Sequence, residues 1–177
     1  MGNPRPSRKT SVPAGVQPSG PLWQEFGEYH RQYFPRVFAY IYGWVRDTRA
    51  TDHLTSEVFG RAFAKTQALP DEEASVIQLF TTAHELLLSH LRDQSRTGAP
   101  QPRDDVEEAV LERTDLTKIL GHLRQFPQQQ QDIIALKFDA ELTNAQIAQV
   151  IGLSEGKVGV ILYRTLRKLR RALEREG

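Results

Sequence analysis

Wherever hydrophobic positions recur along this chain they do so at intervals of three and four, and no stretch keeps the alternating period of a half-buried strand. Between Leu22 and Phe34, Phe26, Tyr29 and Tyr33 fall on one stripe. Pro35 follows, where a second helix is predicted to start because proline is tolerated in a first turn. That helix carries Phe38, Ile41, Tyr42 and Val45 on one face. A third predicted helix, about residues 51–67, turns Leu54, Val58, Ala62 and Phe63 inward and stops at the Leu69-Pro70-Asp71 turn. A fourth, about residues 73–93, aligns Ile77, Phe80, His84, Leu87, Leu88 and Leu91.

The pattern then breaks. From residue 95 to 112, Gly98, Pro100 and Pro102 are followed by Asp104, Asp105, Glu107 and Glu108 with few large apolar side chains, which predicts a flexible acidic linker centred on 97–112. Four further helices are predicted at about 113–124, 128–139, 143–150 and 154–173, with breaks at Phe126-Pro127, Ala140-Glu141 and Gly152. The expected fold is all-α. A helical bundle spans 22–96, and a second helical domain spans 113–177. Residues 1–21 hold Pro4, Pro6, Pro13, Pro18 and Pro21 without any apolar period and are expected to form a disordered tail.

Composition narrows the chemistry. The 177 residues are 39% hydrophobic and 25% charged, in keeping with two small globular units. With no cysteine, a disulfide framework, a thiolate metal site and a thiol nucleophile are all excluded. No apolar run of roughly 18 residues suggests a membrane span, and the N-terminal segment lacks the apolar core of a secretory signal, so a cytoplasmic location is expected. The five histidines show no metal-ligand spacing, and no phosphate loop or catalytic motif stands out, so neither enzyme activity nor a cofactor or metal is expected. The net charge is only +1, but it is unevenly spread. Residues 97–115 carry −4 and residues 154–177 carry +4, as expected for one phosphate-contacting helix on a neutral body.

The most specific pattern lies between Asn144 and Tyr163. A helix-turn-helix needs a small residue where its helices approach, a left-handed turn residue and a shared apolar core. Ala148, Gly152 and the set Ile147, Ile151, Leu153, Val158 and Ile161 supply these. Thr143 and Ser154 are natural N-caps. The bland alternative is two packed helices with no ligand, but seven positions fit at once. Glu155, Gly156, Lys157, Gly159, Val160, Tyr163 and Arg164 then point outward, with those at the helix N-terminus aimed at base edges. Arg164, Arg167, Lys168, Arg170 and Arg171 suit phosphate contacts, or simply favour the negative end of the helix dipole.

The run LRQFPQQQQDIIALKFDAELTNAQIAQVIGLSEGKVGVILYRTLRKLRRAL, residues 123–173, resembles the promoter-recognition region of the extracytoplasmic-function (ECF) sigma factors. FPRVFAYIYGWVRD, TDHLTSEVFGRAF and LFTTAHELLLSHLR resemble, in order, the polymerase-binding and promoter-opening helices of the same family. The resemblance implies that Asp52, Thr55, Ser56 and Glu57 bind the clamp of the polymerase largest subunit. It implies that His84, Glu85, Ser89, Arg92 and Arg96 read a melted downstream promoter element. The upstream, minus-thirty-five element would be read as duplex by Ser154, Glu155, Gly156, Lys157, Val160, Tyr163, Arg164 and Arg167.

The implied partners are core RNA polymerase, through that clamp and the flap region of the second-largest subunit, together with promoter DNA. An anti-sigma protein, which holds many relatives inactive, is a further partner that the resemblance allows. Departures cluster in the DNA-reading parts. Gln78 stands for a usual tryptophan, Glu85 for an asparagine, Ser89 for an aspartate and Gly159 for a lysine or arginine, while Asp52-His53 replaces an acidic pair. These changes leave open a sigma-like regulator without autonomous promoter melting. A free-standing helix-turn-helix regulator is the remaining alternative.

Overall fold

The computed structural model describes residues 21–64, 72–97 and 115–176, and all regular structure among them is helical. The elements are α1 (Pro21–Val45), α2 (Thr48–Ala64), α3 (Glu72–Thr97), α4 (Asp115–Leu123), α5 (Gln128–Phe138), α6 (Asn144–Ile151) and α7 (Glu155–Glu176). The predicted turn at 69–71, most of the predicted linker and all but Pro21 of the predicted tail lie outside the described residues.

The expected break at Pro35 does not occur, because Pro35 sits inside the single 25-residue helix α1. A proline within a helix loses one hydrogen bond and crowds the carbonyl four residues back, at about 3 kcal/mol. Here Pro35 is exposed, so the freed Arg31 carbonyl lies on the side open to water. On the opposite face Tyr33, Val37, Tyr40, Ile41 and Val45 are all buried, which offsets the loss.

Helix α1 ends at Arg46, whose φ of 54° is left-handed. The chain then re-enters a helix at once, because the Asp47 Oδ1 accepts from the Ala50 N–H at 2.6 Å. This cap starts α2 at Thr48, three residues ahead of the predicted Thr51. Helix α3 buries Val76, Leu79, Phe80, Ala83, Leu86 and Leu87, a wider surface than the one predicted stripe. The reason is that α3 has neighbours on two sides: α1 and α2 on one, α6 on the other.

The second unit is built around its turns. Past α5, the Ala140 N–H reaches the Ala135 carbonyl at 3.0 Å and the Leu142 N–H reaches the Leu136 carbonyl at 3.0 Å, with Glu141 between them left-handed at φ 54°. Thr143 and Gln146 then form a reciprocal capping box at the start of α6. Gly152 ends α6 at φ 69°, ψ 39°, and Ser154 Oγ accepts from the Lys157 N–H at 3.3 Å to open α7. Both units contribute to one continuous buried cluster, with α3 against α6 and α1 against α5.

At Gly152 a Cβ would meet nothing within 4 Å, so only backbone strain opposes a side chain there. Gly152→Ala is expected to cost about 1–2 kcal/mol in urea unfolding. Gly121→Ala, inside a helix with equally open space, should be neutral or slightly stabilising. Equal costs at the two positions would contradict this account of the turn.

Candidate nucleic-acid interface

Helix α7 is held from one side only. Val158, Thr165 and Leu169 are buried, and the Thr165 hydroxyl lies 3.2 Å from Gln130 Oε1 of α5 while donating to the Ile161 carbonyl at 2.8 Å. The remaining face is therefore committed to solvent. Ser154, Glu155, Gly156, Lys157, Val160, Tyr163, Arg164 and Arg167 are all exposed, and Tyr163 stands out at 66% exposure. All eight residues predicted to read duplex DNA are thus brought together along the first thirteen residues of one helix and the residue that caps it. Gly159, also expected outward, is half-buried, and a Cβ there would lie 3.7 Å from Asn144 Nδ2. Position 159 therefore faces Asn144 at the start of α6.

The C-terminal half of α7 continues the same chemistry. A shallow depression there is lined by Tyr163, Leu166, Arg167, Arg170, Arg171 and Glu174. Arg170 Nε and Glu174 Oε1 pair at 2.7 Å, both in solvent, so the pair contributes little to stability. The exposed Leu166 and Phe138 were missed from the sequence. Phe138 carried a signal in its position, since it ends α5 beyond the buried run Asp132–Leu136.

In the first unit the predicted residues divide. Asp52 and Ser56 are exposed on α2, and Glu57 is half-buried with its carboxylate 2.6 Å from Arg61. Thr55 is not available to a partner here: it is fully buried, and its Oγ1 has no hydrogen-bond partner among the described residues. On α3, Glu85, Arg92 and Arg96 are exposed and Ser89 half-buried, at the i, i+4, i+7, i+11 spacing of one helical stripe. His84 departs from that stripe and turns inward, with Nδ1 2.9 Å from the Tyr40 hydroxyl. Burial, and then the Asp132 and Asp139 carboxylates, hold the Tyr40 phenol well above its usual range. The phenol thus keeps its proton within this pair.

Residues 122–171 match the family described as sigma-70, region 4. The ECF RNA polymerase sigma factor BldN of Streptomyces coelicolor is 30% identical over 158 residues, which is 84% of this chain and 60% of that relative's length. The chain is thus similar to ECF sigma factors and spans about three fifths of the length of the BldN relative. RNA polymerase sigma factor YlaC of Bacillus subtilis is 23% identical over 152 residues, 80% of this chain and 88% of that protein. Among solved structures, the sigma factor RpoE in complex with the anti-sigma factor NepR from Bartonella quintana shares the fold. It has a TM-score of 0.66 at 17% identity, over 85% of this chain and 98% of that one.

The segment that matches region 4 contains one uncompensated acid. Asp132 is 8% exposed, its Oδ1 lacks a hydrogen-bond partner among the described residues, and burial pushes its carboxyl up to about 6. The folded chain therefore binds the Asp132 proton more tightly than the unfolded chain does. By linkage, the stability this group supports is present below its ordinary value near 3.8 and is lost as pH rises through about 6. His84 runs the opposite way, since burial lowers its value.

Comparison with a variant isolates the aspartate. Asp132→Asn should be more stable than the native chain by about 1–2 kcal/mol at pH 7.5, with the gain vanishing near pH 4. Urea unfolding across that range reads the difference. A gain that does not change with pH would contradict the assignment. Among the described residues, no three His, Asp or Glu side chains lie close enough to hold a metal ion. No helix among them is long and apolar enough to cross a membrane.

Proposed function

We propose that this chain binds core RNA polymerase and carries it to specific promoters, with α7 reading the upstream element in the major groove. The observation that carries this reading is the face of α7. Its outward side chains are presented by a capped helix-turn-helix inside the segment that matches sigma-70 region 4. Lys157 suits the acceptor pair on a guanine edge, Glu155 the amino group of a cytosine and Val160 the methyl of a thymine. Arg164 and Arg167 suit phosphates further along the groove.

In the same reading Asp52, Ser56 and Glu57 meet the polymerase clamp, region 4 meets the flap, and the Glu85, Ser89, Arg92 and Arg96 stripe meets the melted strand. An anti-sigma protein is a fitting further partner, since the RpoE relative was solved with one. The polymerase supplies the catalysis, and the work takes place in the cytoplasm.

A second reading is favoured by one observation. The exposed Glu85 places a carboxylate on the stripe that would face DNA, and only a cytosine amino group would welcome it there. On that reading the chain docks on polymerase but needs help to open the duplex.

Transcription with purified core polymerase on a genomic promoter library separates the two. The leading reading expects discrete start sites that depend on the chain. Binding to core without specific transcripts supports the second, and failure to bind core contradicts both. For the DNA contacts, Arg164→Ala and Arg167→Ala should each lower the steepness of log affinity against log salt by about 0.9 on an upstream-element duplex. Unchanged slopes would remove these two residues from the phosphate-contacting set.

A further inference from the structure

The packing of α6 on α7 includes a polar side chain that it does not need. Asn144 opens α6 and shares one side of it with Ala148 and Ile151, at i, i+4 and i+7. Gly159 of α7 lies against that side, since a Cβ there would come 3.7 Å from Asn144 Nδ2. The rest of the side is apolar, with Ile147 and Ala148 buried and Ile151 half-buried. Asn144 has no part in the helix cap either, because Thr143 and Gln146 close the capping box between themselves. Its half-buried carboxamide keeps Oδ1 out of water with no hydrogen-bond partner among the described residues. An unmet acceptor of this kind costs stability, and an apolar side chain would remove the cost. The fold gains nothing from the amide.

Gly159 is the other half of the arrangement. It lies at four-residue spacing between the exposed Glu155 and Tyr163, at the edge of the α7 face. A methyl would fit there in ordinary contact, so packing does not demand glycine, and glycine weakens a helix interior. Among the ECF sigma factors that this chain resembles, a lysine or arginine is usual at this point. A long side chain leaving position 159 would run across the Asn144 carboxamide and cover it. Glycine leaves the carboxamide open, and it also lets a ligand approach the helix backbone closely.

We propose that Asn144 reads a base edge of the upstream element, in the place that a side chain from position 159 would otherwise take. The inference rests on the function proposed above, with α7 in the major groove. A carboxamide presents a donor beside an acceptor, which matches the N7 and amino group of adenine. Nδ2 donates to N7. Rotation about the Cβ–Cγ bond, a broad torsion, turns the unmet Oδ1 outward to accept from the adenine amino group. One base pair is thus read from the first helix of the helix-turn-helix. A lysine or arginine from 159 would favour guanine instead.

Selection of bound duplexes from a pool randomised across the upstream element, by the chain assembled with core polymerase, reads the preference position by position. The native chain should select adenine at one base pair that Asn144→Ala makes indifferent, a loss of about tenfold in discrimination there with the other positions unchanged. Asn144→Asp, of the same size but without the donor, should lose the preference too. Asn144→Ala should melt no lower than the native chain, because it removes an unmet acceptor. Gly159→Arg tests the same contact from the other side, and it keeps the experiment decisive should Asn144→Ala fail to fold: adenine should give way to guanine. Uniform weakening of all sequences by Asn144→Ala would assign the residue to a phosphate and overturn the inference, as would an unaltered adenine preference in either Asn144→Ala or Gly159→Arg. Failure of the native assembly to enrich any sequence would instead count against the proposed function, and this inference would fall with it.

Discussion

A helix that buries Val158, Thr165 and Leu169 against its neighbours has no freedom over which side chains it shows to solvent. Everything functional in the second unit follows from that constraint. The rotation of α7 is fixed by three inward positions and by the Thr165 contact to Gln130. Its starting point is fixed by Gly152 and Ser154. What remains outward is a band of glycine, lysine, tyrosine and arginine that has no use in packing. A net +4 over residues 154–177, on a chain of net +1, concentrates positive charge on the helix that carries that band.

The first unit obeys a different constraint. Its helices are held by burial over long faces and by aromatic contacts such as Tyr40 against Phe80 at 6.2 Å. Polar groups are drawn into that core, including the Tyr40–His84 pair and the buried Thr51 and Thr55. The Tyr40–His84 pair limits how α1 and α3 can slide, since it keeps its bond only in one register. The same stiffness gives Arg36 a fixed platform from which to donate to the Ala140 and Glu141 carbonyls of the second unit.

Much of this was legible in the residues because helical burial is periodic. The stripes of α1, α2 and α3, the break at Gly152 and the caps at Thr143 and Ser154 all rest on local spacing. Errors arose where a distant neighbour decided the outcome. Pro35 reads as a helix start, yet it stays inside α1 because the opposite face is buried from Tyr33 to Val45. Thr55 and His84 read as partner contacts from the family pattern, while packing turns both inward. Gly159 reads as outward until α6 is placed beside it. The Arg36 bonds carry no signature in sequence at all, since their acceptors are main-chain carbonyls more than a hundred residues away.

The central claim is that α7 lies against paired bases while the rest of the chain sits on polymerase. A photo-crosslinking residue placed at Val160, or at Gln149 on the outer side of α6, tests it directly in the assembled complex of chain, core polymerase and promoter duplex. Position 160 should crosslink to the upstream duplex and position 149 should crosslink weakly or not at all. Crosslinks to DNA from 149 with none from 160 would contradict the account, because they would place the opposite side of the helix-turn-helix against the bases.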